Sequence, residues 1–185
     1  MLHRRALSLF TTRYKGLQIA PRCFLGTESE VITKKENGQF QLVEAQGWTK
    51  VVMSTAQDSS LAHCVSADLQ MSGGITPAFK KLCGGFEALK KQERKVGEVA
   101  ISERNETSFV YHLVTRQNWW DAATPSSMRS CLLRLKEHSQ ENGVNKLTVP
   151  RLGTGEDKLD WPIVKGIIED VFRDTDIIIT AYSTR

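Results

Sequence analysis

Two glycine clusters carry the clearest chemical capacity in this 185-residue sequence. The first lies within His63 to Thr76 and has Met71-Ser72-Gly73-Gly74-Ile75 at its centre. The second reads Pro150-Arg151-Leu152-Gly153-Thr154-Gly155-Glu156-Asp157. Glycine tolerates positive φ and lets backbone N–H groups approach a ligand closely. Consecutive amides in such a turn form a concavity for anions, and a following helix N-terminus adds its dipole. Hydrogen bonds to a charged oxygen contribute roughly 1.5–3 kcal/mol each, so a few amides hold a diphosphate without a lysine. Neither cluster is a P-loop or a Rossmann fingerprint, and taken singly each reads equally well as a turn. By itself Asp157 reads as a cap or turn carboxylate, and Arg116, which ends a β-rich run, as a solvated strand-end charge.

The surrounding pattern alternates strands and helices. Phe40, Leu42 and Val43 suggest one strand and Val51 to Met53 another. Leu61 to Val65, Val96 to Ile101, Ser108 to Thr115, Lys146 to Val149 and Ile177 to Tyr182 read as further strands. Thr76-Pro77 opens a helix with Thr76 as cap and Ala78, Leu82, Phe86 and Leu89 as its apolar side, broken near Gly84-Gly85. Thr124-Pro125 opens a second, with Met128, Leu132 and Leu135 inward and a stop at Asn142-Gly143. Asp160 caps a third, in which Ile163, Ile167 and Val171 share a stripe. Such alternation implies an α/β sheet covered on both faces, with ligands beyond the carboxyl ends of strands. Both glycine clusters follow such ends. His63 and His112 read as core histidines, and Lys90 to Lys95 as a solvated helix end. Trp119-Trp120 cover a ligand, face a partner or plug the core edge.

Composition narrows the function. The net charge of +4 sits in the N-terminal segment, where Arg4, Arg5, Arg13, Lys15 and Arg22 precede any acid. Removing those five from 25 basic residues leaves 20, against 21 acids. A nucleic-acid partner is therefore not expected, because its positive charge belongs on the folded domain. No eighteen-residue apolar run suggests a membrane span. Cys23, Cys64, Cys83 and Cys131 form no C-x-x-C pair, so neither a metal site nor a disulfide framework is expected. Residues 1–30 read as a mitochondrial-type presequence or a disordered tail, and residues 31–185 as one domain.

The two clusters, in this order, resemble the macrodomain family, and within it the terminal ADP-ribose protein glycohydrolases that also deacylate O-acyl-ADP-ribose. The resemblance runs through Ser60-Leu61-Ala62-His63-Cys64-Val65-Ser66, Ile75 with Phe79-Lys80-Lys81, Gly97-Glu98-Val99-Ala100 and Pro150-Arg151-Leu152-Gly153-x-Gly155-x-Asp157 with Leu159 and Trp161. It continues through Glu169-x-Val171-Phe172, Thr175-Asp176-Ile177 and Thr180-x-Tyr182, and so spans roughly Ser60 to Thr184. It implies a three-layer α/β/α sandwich with a mixed β-sheet, a monomer that needs no cofactor. It also assigns ADP-ribose contacts to Ser66, Ser72, Gly73, Gly74, Ile75, Thr115, Pro150, Arg151, Leu152, Gly153, Thr154, Gly155, Glu156 and Thr184, with the amides of Gly153, Thr154 and Gly155 on the diphosphate. Asp157 takes the place of the catalytic aspartate.

Three departures from the family pattern matter. Arg116 stands where the subfamily has a lysine that attacks the ribose; arginine does not form a Schiff base, and is left to clamp a phosphate or stabilise a developing oxyanion. No aspartate precedes Asp58, so the usual adenine contact is missing, with Gln46 or a backbone carbonyl as substitutes. Ser72 takes a usual glycine position. The functions that follow are hydrolysis of ADP-ribosyl esters on Glu or Asp or of O-acyl-ADP-ribose, non-catalytic reading of ADP-ribose, or a decayed paralogue with neither. The N-terminal reading predicts that a fluorescent fusion of residues 1–35 enters mitochondria; a cytosolic signal would contradict it.

Overall fold

The computed structural model describes residues 39–47, 58–70, 73–83 and 86–183. These belong to one compact unit, Lys35–Arg185. The strand expected at Val51 to Met53 lies outside the described residues, as do Met71, Ser72, Gly84, Gly85 and Thr184. The elements are β1 (Gln41–Gln46), β2 (Ser60–Ser66), α1 (Thr76–Leu82), α2 (Glu87–Lys90), β3 (Val99–Asn105), β4 (Ser108–Arg116), α3 (Pro125–Glu141), β5 (Lys146–Pro150), α4 (Trp161–Phe172) and β6 (Ile178–Ser183).

The six strands form one mixed sheet in the order β1-β6-β5-β2-β4-β3. All neighbours are parallel except β3 and β4, which form an antiparallel hairpin at one edge. Every residue of β4 is buried, and six of seven in β2. Strands buried on both faces read as near-continuous apolar runs, which is why Leu61 to Val65 and Phe109 to Val114 lack alternation. Successive side chains still point to opposite faces. Ala62, Tyr111 and Leu113 join the core beneath α3 and α4, while Leu61 and Val110 pack with Phe79 of α1 on the other face. Helices therefore cover both sides, the three-layer α/β/α sandwich expected.

Helix α3 carries the strongest local signal. The Thr124 hydroxyl accepts from the Ser127 amide at 3.0 Å, and the Ser127 hydroxyl accepts from the Thr124 amide at 3.1 Å. That reciprocal box satisfies two orphan donors of the first turn. Ser127 also donates to the Thr115 carbonyl at 2.7 Å, pinning the start of the helix to the end of β4. Met128, Leu132 and Leu135 are buried as expected, and the helix ends at Asn142 before Gly143.

Three helix expectations are corrected. Thr76 is the first helical residue, not the cap; Ile75 takes the cap position with no side-chain bond. Phe79 is the buried side chain of α1, whereas Leu82 is exposed and Phe86 and Leu89 belong to a separate α2 region. Asp160 is the cap residue of α4 but its carboxylate makes no cap bond, and the buried stripe is Val164, Ile168, Val171 and Phe172, with Ile163 in solvent. Apolar residues at 163, 164, 167, 168 and 171 form two adjoining stripes, and periodicity alone does not choose between them.

His63 and His112 are core residues, joined Nε2 to Nδ1 at 2.7 Å. His63 stacks on Phe79 with ring centroids 3.8 Å apart, and His112 Nε2 meets the Ser102 hydroxyl at 3.1 Å. Burial pushes both imidazoles towards the neutral form, His63 well below its ordinary value with His112 adding to the effect, and His112 down to about 4. Each takes up a proton more readily in the unfolded chain. Their stabilisation is therefore complete above about pH 6.5 and is lost as pH falls towards 4, His112 alone forfeiting on the order of 2 kcal/mol by about pH 5. The urea midpoint is predicted to fall between about pH 7.5 and 5, before carboxylates titrate; a level midpoint across that interval would refute the coupling.

Candidate functional site

The carboxyl ends of β2, β4 and β5 meet beneath the two glycine loops. A cleft of about 320 Å³ is lined there by Gly73, Gly74, Ile75 and Thr76 from the first loop and by Pro150 to Asp157 from the second, with Cys64 and Arg116 from the strands. The two clusters, 70-odd residues apart in sequence, thus share one wall-to-wall hollow. Parallel pairing of β5 beside β2 makes this convergence unavoidable, since Leu61 is opposite Thr148 and both strands run the same way.

A register shift sets the floor. Val65 is paired with Val114, but Ser66 is paired with Arg116, so Thr115 is an extra residue in β4. Such bulges re-aim side chains at sheet rims. The Thr115 hydroxyl donates to Asp157 Oδ1 at 2.7 Å. Arg116 donates from Nη1 to the same oxygen and from Nη2 to Glu156 Oε2 at 2.6 Å. Its side chain is 4% exposed and that of Asp157 3%, against 44% for Glu156. Arg116 is therefore not a solvated strand-end charge, and Asp157 is not a surface turn carboxylate. Removing one partner of a buried pair leaves an uncompensated charge, at a cost of about 3–5 kcal/mol. The Arg116 Nε has no acceptor among the described residues.

Loop two holds its shape through glycine. Gly153 has φ +75°, and an added Cβ would come within 3.1–3.2 Å of Met128, Leu159 and Val164. The loop closes on itself from the Leu159 amide to the Gly153 carbonyl at 2.8 Å and from the Lys158 amide to the Gly155 carbonyl at 3.1 Å. Of the three amides expected on the diphosphate, that of Thr154 is directed at the Arg151 carbonyl, 3.4 Å away. Among the described residues, the amides of Gly153, Gly155 and Glu156 donate to no backbone carbonyl, and all three residues line the cleft.

Loop one contributes a close approach. An added Cβ on Gly73 would fall 1.8 Å from Glu156 Oε1, so only glycine fits while that carboxylate stands there. Gly74 has φ +59°. Of the other expected contacts, Thr115 acts through Asp157, and Ser66 turns aside to donate to Asp68 at 2.5 Å. Burial raises the Asp68 carboxyl, but bonds from Ser66 and the amides of Gln70 and Trp119, with Arg116 nearby, hold it below its ordinary value. Ser72 and Thr184 lie outside the described residues.

Cys64 is a lining residue that sequence reasoning did not single out. Burial pushes its thiol well up, and the Asp157 carboxylate beside it adds to that, so it stays protonated and inert. Its place at the carboxyl end of β2 was the available signal. Beyond Arg151 and Thr154, which belong to both, a second hollow of about 600 Å³ opens, lined by Gln46, Leu159, Asp160, Trp161, Tyr182 and Ser183. Glu44 ties its rim: it accepts from Trp161 Nε1 at 2.8 Å, Lys165 at 2.9 Å and Arg151 at 3.0 Å. Trp119 and Trp120 are 45% and 59% exposed, edge-to-face with each other, and do not plug the core.

A family model, Macro domain, matches residues 58–168. The chain belongs to the macrodomain family. Human ADP-ribose glycohydrolase OARD1 is 42% identical over 124 residues, 67% of this chain and 81% of that protein. The Bos taurus protein of the same name is 42% identical over 127 residues, covering 69% and 83%. Among solved structures, the macrodomain of Mycobacterium tuberculosis DarG superimposes with a TM-score of 0.67 at 20% identity, covering 77% of this chain and 97% of that one. Thermosipho africanus DarTG in complex with ADP-ribose gives 0.61 at 21% identity, covering 76% and 41%. These structures share the fold of this macrodomain.

Proposed function

We propose that this macrodomain binds ADP-ribose along the two joined hollows and hydrolyses ADP-ribosyl esters, on Glu or Asp side chains or in O-acyl-ADP-ribose. The observation that carries this reading is the convergence of both glycine loops on one cleft whose floor is the Arg116–Asp157 pair. The 42% identity to proteins named ADP-ribose glycohydrolase supports it. The adenosine end fits the hollow beside Trp161 and Tyr182, with Gln46 in place of the missing aspartate. The diphosphate fits the amides of Gly155 and Glu156.

Chemistry at the distal ribose runs without a covalent step through Arg116, which stays protonated and offers no nucleophilic amine. Asp157 accepts a proton from water as the water oxygen bonds to the anomeric carbon. The carbon–oxygen bond to the acyl group breaks in the same step, and the acyl carboxylate leaves as an anion. Arg116 offsets negative charge on that leaving oxygen. One observation favours the second reading, a non-catalytic reader: Asp157 Oδ1 already accepts from Thr115 and Arg116, so that oxygen is engaged by the protein itself. We further propose that the protein acts in mitochondria, a reading supported by its basic, acid-free N-terminal segment, and as a monomer, as the family resemblance implies.

Incubation with a mono-ADP-ribosylated glutamate peptide separates these readings. The wild type is predicted to release ADP-ribose about tenfold or more faster than Asp157→Ala, and Arg116→Lys to raise the rate by restoring an amine. Saturable calorimetric binding with no release above Asp157→Ala selects the reader. No heat with millimolar ADP-ribose overturns both.

A further inference from the structure

Glu156 holds a position that neither amide binding nor ester hydrolysis requires. Its carboxylate reaches across the cleft from the second loop to the first. One oxygen accepts from Arg116 Nη2 at 2.6 Å, and the other stands where a Cβ on Gly73 would be. Each η nitrogen of the guanidinium thereby donates to a carboxylate of the protein itself. Arg116, Asp157 and Glu156 together carry a net charge of about −1 at neutral pH. A lone cationic clamp presents net positive charge to ligand anions; this one stands behind a half-exposed carboxylate.

The order of the two hollows fixes which part of a ligand meets that carboxylate. The aromatic residues Trp161 and Tyr182 lie in the outer hollow, Arg151 and Thr154 join it to the inner one, and Arg116 and Glu156 lie in the inner one. A nucleotide seated with its base outside and its diphosphate on Gly155 and Glu156 brings whatever follows the second phosphate to the Glu156 carboxylate. That placement rests on the ADP-ribose reading above. A neutral sugar meets Glu156 as a hydrogen-bond acceptor. A third phosphate meets a like charge, and a like-charge encounter in a partly desolvated cleft is strongly unfavourable. We infer that Glu156 is a specificity-determining residue, which admits a neutral group at the inner end of the cleft and refuses an anionic one.

Calorimetry of the full chain with ADP-ribose and with ATP, in the wild type and in Glu156→Gln, tests this. The variant keeps the Arg116–Asp157 pair and the shape of residue 156 while removing its charge. The wild type is expected to bind ATP at least about tenfold more weakly than ADP-ribose, and the variant to narrow that ratio by about tenfold through tighter ATP binding. Equal gains for the two ligands, or no gain for ATP, overturn the selectivity role while leaving the ADP-ribose reading intact. Failure of both proteins to bind ADP-ribose removes that reading, and this inference with it.

Discussion

The buried guanidinium of Arg116 is the constraint on which the site depends. It ends the fully buried strand β4, past a one-residue bulge, and is gripped by two consecutive carboxylates of the second loop. A charge with so little exposure requires partners, and Asp157 and Glu156 come from one turn. The pair therefore clamps the second loop onto the end of the sheet. Thr115 reinforces the clamp through Asp157, and the Ala123 amide holds the same loop by donating to the Asp157 carbonyl at 3.0 Å.

Around that clamp the loop curls because glycine allows it to. The positive φ of Gly153 turns the chain back towards Leu159, and its missing Cβ lets Met128 and Val164 close against it. What the curl leaves without a backbone acceptor is a set of amides in residues that line the cleft, and neighbouring N–H groups of this kind suit an anion. The same arginine that pins the loop to the sheet is barred from the amine chemistry of a lysine.

Much of this was legible in the sequence. Thr124-Pro125 announced the start of α3 because its hydroxyl cap is a local interaction, and Asn142-Gly143 announced its end. Both glycine loops were visible, as was the strand-end position that brings them together. The bulge at Thr115 was not, because register between distant strands leaves no local signature. Without it, the Arg116–Asp157 pair had no basis in spacing. Cys64 passed as a strand residue for the same reason: its neighbours Gly153 and Asp157 are close only after folding. Which of the three expected amides stay available depended on turn bonds within the loop, which engage Thr154 and leave Gly153 and Gly155 without a backbone acceptor. The phase error in α4 came from two adjacent apolar stripes, which tertiary packing alone resolves.

The central claim is that a diphosphate occupies the cleft between these loops, seated on backbone amides over the Arg116 clamp. Amide chemical-shift mapping by NMR during titration with ADP-ribose addresses it directly. The account predicts the largest saturable shifts at Gly155 and Glu156, with Gly73 to Thr76 following and the far edge at β3 unchanged. Saturation with those loop amides unmoved, or with the shifts gathered elsewhere on the molecule, would contradict it.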